Sequence, residues 1–222
     1  MQCDGAEGRQ ELRPAVSRFL FPLSEYNRIY QVVHGVRQAF PNSEKGCIFF
    51  AACGAVILSK HYKIPARPVA GGFAMCVNDT PNVVFFGEQK DGRLTGTPDG
   101  FHMWIQTETH IIDFMAPIFP EAFAEGNVPV PRKMFQREKS SEAASLSALN
   151  SPGDFFTLPD PELTSALLKR FLDRPSSGDL LHVADTWFGD RRRAQAKSIM
   201  MGDSQGAPHH LSLPRTIATG SW

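Results

Sequence analysis

Cys47 stands directly after Gly46 where an apolar helical pattern begins, and this placement is the first sign of chemistry in the chain. A helix N-terminus carries partial positive charge and unpaired N–H groups, which stabilise a thiolate. The thiolate is the nucleophile of acyl-transfer chemistry. A cysteine is more often a small buried hydrophobe, so position alone does not decide its role. A base is needed, and residues 101–114 offer one. Phe101–Gln106 and Thr109–Phe114 read as a hairpin, and a two-residue turn at Thr107-Glu108 sets His102 directly opposite Asp113. Opposed side chains on one sheet face have Cβ atoms ~5 Å apart. The carboxylate can then accept from the imidazole, fix its tautomer and stabilise the imidazolium. In the same register His110 pairs with Ile105 on the other face, which makes it the weaker base. Cys53, mid-helix, and Cys76, in a strand, read as structural. Asn42, just ahead of Cys47, is an oxyanion candidate whose side-chain N–H would sit beside the Cys47 amide. Beside Pro41 it reads equally well as a turn residue.

These residues need elements to hold them. A helix with Ser24 as candidate N-cap carries Tyr26, Ile29, Tyr30, Val33 and Phe40 roughly on one face. The segment from Phe40 to Gly46 breaks it. The Cys47 helix runs to about Tyr62 with Phe50, Ala51, Gly54, Ile57, Leu58 and His61 at steps of three and four, and with Phe49, Ala52 and Val56 behind. It is apolar nearly all round and belongs in the core. Ile64-Pro65 ends it. Strands are expected over Ala66–Val77, where Gly71-Gly72 suggests a bulge or bend, and over Val83–Gly87, with Lys90–Gly100 as a loop. Pro117, Pro120, Pro129 and Pro131 imply an extended crossing, residues 138–150 a polar helix, and Asp160–Asp173 an amphipathic helix with Leu163, Leu167, Leu168 and Phe171 inward. The last ~50 residues give no clear pattern.

The runs Cys47-Ile-Phe-Phe-Ala51, Ile64-Pro65-Ala66-Arg67-Pro68-Val69-Ala70-Gly71, His102-Met-Trp104 and Ile112-Asp113-Phe114 together resemble the transglutaminase-like core. That family has a Cys opening a helix, a Gly-Ile-Pro-Ala-Arg turn after it, a His-Ala-Trp strand and an Asp on the next strand. It stands with papain-like peptidases and arylamine N-acetyltransferases. The resemblance covers about residues 40–117. Lys63 replaces the usual Gly, and the interval from Cys47 to Ile64 is one residue longer than usual. What the resemblance implies is an α+β fold with N-terminal helices packed on an antiparallel sheet, followed by a C-terminal helical and irregular extension. On that reading residues 1–22 are a polar N-terminal segment and 23–117 the catalytic core. Residues 118–222 would be an extension of the same domain, a candidate lid or specificity lobe. The implied activity is that of a cysteine peptidase or amidase acting on a peptide, protein or small amide. The alternatives are a transglutaminase or N-acyltransferase on the same triad, or a non-catalytic binding domain that keeps the fold.

The totals narrow the rest. Lys plus Arg and Asp plus Glu both number 23 in 222 residues, which removes any global charge reason to expect nucleic acid or an anionic membrane. An apolar fraction of 42% and a charged fraction of 21% suit a globular chain. There is no run of about 18 apolar residues and hence no expected membrane span. No apolar leader stands at the N-terminus, and the four cysteines show no CxxC spacing, so free thiols and a cytoplasmic address are expected. No Walker or dinucleotide glycine pattern points to a nucleotide cofactor. Zinc on Cys47, His102 and Asp113 is conceivable, but a thiolate at a helix start followed by a His/Asp hairpin reads better as a triad than as a metal site.

Overall fold

A computed structural model describes residues 19–40, 46–80, 82–90, 93–126 and 128–222. Two helices come first, α1 (Leu23–Ala39) and α2 (Gly46–Ile57), the latter continued by a π-helical turn over Leu58–Tyr62. Strands β1 (Arg67–Cys76), β2 (Val83–Phe86), β3 (Glu88–Lys90), β4 (Arg93–Thr95), β5 (His102–Gln106) and β6 (His110–Asp113) follow. Then come α3 (Phe119–Ala122), β7 (Phe135–Glu138), β8 (Phe155–Pro159), α4 (Pro161–Leu172), α5 (Pro175–Phe188), β9 (Ser198–Gly202) and β10 (Pro208–Ser212). The fold is α+β: helices lie against a curled antiparallel sheet in the order β2-β1-β5-β6-β7, with β8 also on β1.

β5 shows how the core is divided. Its side chains alternate, as strand geometry requires. Met103 and Ile105 join Ile112 and Phe114 against α1 and α2, while Trp104 joins Phe73, Ile111, Phe135 and Phe155 in a second apolar cluster. The sheet is therefore buried on both faces. Helix α2 lies under it, buried from Cys47 to Ile57 except at Val56, and Gly54 supplies the close approach: a Cβ there would come within 2.5 Å of both Ile105 Cδ1 and Phe114 Cδ2.

Residues 118–222 are not segregated from this sheet, since β7 pairs with β6 and β8 with β1. In place of the helix expected over residues 138–150 there are two 3₁₀ turns, Lys139–Ser141 and Leu146–Ala148. Tertiary bonds decide this. The Ala143 amide donates to the Phe155 carbonyl, and Glu142 Oε1 accepts from both the amide and the hydroxyl of Thr157. The loop expected over Lys90–Gly100 contains part of a small hairpin, β3 with β4. Helix α1 is capped by Pro22 and not by Ser24, which lies within its first turn. β1 runs unbroken through Gly71-Gly72 instead of bulging. The glycines are there for space, because a Cβ on Gly71 would lie 2.0 Å from the Leu158 carbonyl oxygen. Helix α4 forms as expected, with the Asp160 side chain accepting from the Leu163 amide and Leu163, Leu167 and Phe171 buried.

Candidate active site

Cys47 sits in the first turn of α2, His102 opens β5 and Asp113 closes β6. The hairpin turns at Glu108-Thr109, one residue later than expected from sequence. Thr107 faces His110 across it, Gln106 pairs with Ile111 and Ile105 with Ile112. Asp113 is therefore level with Trp104, and His102 lies diagonal to it. A two-residue slip preserves the period of two, so both side chains stay on one face. His110, now level with Thr107 instead of Ile105, remains on the other.

The diagonal is short enough to close. His102 Nε2 donates to Asp113 Oδ2 at 2.7 Å, and the second oxygen, Oδ1, accepts from the Met115 amide at 2.8 Å. Tyr26 of α1 donates to the Asp113 carbonyl and accepts from the Phe135 amide, which ties the end of β6 to helix and neighbouring strand. The Asp113 carboxylate thus has a partner for each oxygen and is 2% exposed.

The His102 ring is fully buried among phenylalanines. Phe86 stacks on it with ring centroids 4.3 Å apart, Phe73 lies at 5.2 Å, and Phe119 meets it edge-on at 5.9 Å. Burial opposes the charge on this ring. The Asp113 carboxylate and the bond to it, with a smaller contribution of the same sign from Cys47, outweigh burial and push the imidazole up to about 9. Nδ1 is buried and has no formed hydrogen bond. The Cys47 side chain interacts with the ring, and since Nε2 is committed to Asp113, Nδ1 is the nitrogen left for the sulfur. That contact is looser than a formed hydrogen bond.

The other sequence candidates fall elsewhere. Cys53 is buried mid-helix, where burial raises its thiol well above the ordinary range, and Cys76 is bonded to the Asn78 carbonyl. Asn42 lies outside the described residues. No group of three His, Cys, Asp or Glu side chains among the described residues is placed to hold a metal ion, and no helix among them is long and apolar enough to cross a membrane.

A family model described as "Protein of unknown function (DUF2026)" matches residues 22–222. The chain belongs to this family. Among solved structures, the DUF2026 chain is similar to the crystal structure named "genomics APC5867". The two share 32% identity over 94% of this chain and 100% of that one, with a TM-score of 0.82. A search among curated proteins gives no match.

Sequence reasoning missed the aromatic enclosure of His102 and the Tyr26 clamp in this DUF2026 member. Phe73, Phe86 and Phe119 read as ordinary strand and turn residues, and no spacing links them to His102. Tyr26 reads as one more core aromatic on α1. Only the Met115 amide, two residues past Asp113, carries a local signal, since an aspartate commonly bonds the backbone two residues on.

Proposed function

We propose that the chain is a thiol-dependent acyl-transfer enzyme, a cysteine peptidase or amidase, with Cys47 as nucleophile, His102 as acid and base, and Asp113 as the group that orients His102. The observation that carries the reading is a fully buried histidine that donates to a buried carboxylate and interacts with a cysteine in the first turn of a core helix.

The steps follow from the geometry. Asp113 holds the proton of His102 on Nε2, so Nδ1 exchanges the second proton with Cys47. The sulfur attacks the carbonyl carbon, and the carbonyl π electrons move to oxygen. Collapse of that tetrahedral species expels the amine, which takes the Nδ1 proton, and leaves a thioester on Cys47. Water then gives a proton back to Nδ1 as it attacks, the C–S bond breaks, and the acid departs. The unpaired N–H groups expected in the first turn of α2 would stabilise the developing oxyanion and sulfur charge.

Two further features support assigning a papain- or transglutaminase-like core. Lys63, which stands where that family carries Gly, is the one non-glycine residue in the left-handed region among the described residues, with φ 58°. The longer interval from Cys47 to Ile64 coincides with the π-turn over Leu58–Tyr62, and a π-turn is what an extra residue in an α-helix produces.

Labelling the protein with a thiol-reactive amide mimic and reading its intact mass tests the proposal. One adduct on Cys47, lost in Cys47→Ala and His102→Ala, is expected. An adduct that survives Cys47→Ala, or a Cys47 that labels equally well without His102, would sink it. Supplying amines to the acyl-enzyme then separates hydrolysis from transfer to an amine. A fold that binds the mimic without ever forming the adduct would be a binding domain.

A further inference from the structure

We infer that the chain has a second ligand site, for a small molecule bearing a phosphate or diphosphate group, at the far end of the α2 helix from Cys47. A cavity of about 620 Å³ lies between the π-turn and the segment after α5, and its walls carry Lys60, Lys63, Arg191 and Arg192. Sixteen residues of helix separate Cys47 from Lys63, roughly 24 Å at 1.5 Å per residue, so this site does not depend on the chemistry proposed for Cys47.

The positive charge in the cavity is only partly offset, by the Asp190 carboxylate in the same wall. Lys60 is paired with Asp185, and Asp190 is occupied by the Arg192 amide and by Arg193. Among the described residues no carboxylate pairs with Lys63, Arg191 or Arg192; Arg191 lies over the Tyr62 ring at 4.9 Å. The whole chain has equal numbers of basic and acidic residues. Lys63, Arg191 and Arg192 against the one Asp190 carboxylate leave this concavity net positive, a local feature and not a consequence of a basic protein.

The walls are also built to hold their shape. On one side Arg28 donates to the carbonyls of Phe188, Asp190, Arg191 and Arg193 and to Gln195 Oε1. Those five bonds use the whole donor set of a guanidinium and wrap the 188–193 backbone around it. On the other side Lys63 is held at the end of the π-turn by its amide, which donates to the Leu58 carbonyl. A preformed wall loses little freedom when a ligand binds. Guanidinium groups match phosphate oxygens in pairs, and lysine supplies a point charge. The cavity has the size of a small-molecule site, which favours a compact anion over a nucleic acid chain.

Titration calorimetry of the full chain with inorganic pyrophosphate at low salt tests the site. Saturable binding that weakens as salt is added is expected, with the affinity about tenfold or more lower in Arg191→Ala/Arg192→Ala and in Lys63→Gly. The glycine variant relieves a left-handed backbone, so its loss of binding cannot be blamed on unfolding. No heat with pyrophosphate, unchanged affinity in either variant, or tighter binding of a duplex oligonucleotide than of pyrophosphate would overturn the inference.

Discussion

His102 Nε2 lies 2.7 Å from Asp113 Oδ2, and the remaining Asp113 oxygen is taken by the Met115 amide. The carboxylate therefore cannot swing to another partner without leaving a buried N–H unpaired. Its charge is held against one edge of the imidazole, and the other edge is left for Cys47.

Removing that charge separates orientation from packing. Asp113→Asn keeps the shape and a polar atom for His102 but loses the ionic partner that raises the ring. Adduct formation at Cys47 should fall by roughly a hundredfold or more, as expected when the tautomer and the imidazolium lose support. Imidazole resonances should show His102 titrating well below its wild-type midpoint. Loss of stability with thiol reactivity unchanged would mean that Asp113 is only structural.

The same ring makes stability depend on pH. An unfolded histidine titrates near 6.5 and His102 at about 9, so the folded state holds the proton more tightly. The stabilisation is complete below about pH 6.5 and is lost as pH rises through 9. It amounts to about 3 kcal/mol at most for a shift of this size. His34 acts in the opposite sense: burial pushes it down to about 4, so its contribution fades as pH falls. Urea unfolding of wild type and His102→Gln from pH 6 to 9 should show the two curves converging as pH rises. A gap that stays constant with pH would contradict the assignment.

Among the buried thiols Cys47 should react first. Iodoacetamide near pH 7 should modify it ahead of Cys53 and Cys76, both of which burial pushes up and neither of which has an imidazole beside it. Peptide mapping after brief labelling reads the order directly. Earlier modification of Cys53 would remove Cys47 as the nucleophile.

Lys63 holds a left-handed backbone at a cost of about 1 kcal/mol for a residue with a Cβ. Lys63→Gly should raise stability by about that amount, seen as a higher urea midpoint with unchanged slope, while Lys63→Val should lower it.

Two glycines should tolerate alanine differently. At Gly54 the added methyl meets side chains, and about 1–3 kcal/mol of overpacking is expected, with Cys47 reactivity falling as α2 is pushed from β5. At Gly71 it meets the Leu158 carbonyl, a backbone atom, so β8 must move. Gly71→Ala should be the more damaging, and thermal unfolding of the two variants checks the order.

Much of the site was legible because its parts are local. The amphipathic period of α4, the apolar run of α2 and the hairpin pattern of 101–114 are each local, and Cys47, His102 and Asp113 stand at the ends of those elements. The hairpin also shows the limit. Thr107-Glu108 and Glu108-Thr109 are equally poor as two-residue turns, so sequence could not choose between them. Only the parity of the pairing mattered for keeping His102 and Asp113 on one face.

What the tertiary structure decided lies in contacts between residues far apart in the chain. Residues 138–150 have a composition compatible with helix, but Glu142 and Ala143 find partners on β8, and those bonds outweigh local propensity. Gly71-Gly72 reads as a bend until Leu158 is known to lie against it. The stack of Phe86 on His102, the Tyr26 hydroxyl on Asp113 and the hold of Arg28 on residues 188–193 join positions 16 to 165 apart. No periodicity spans such distances, so the buried ring, its raised affinity for a proton and the cationic cavity at the end of α2 exist only once the chain has folded.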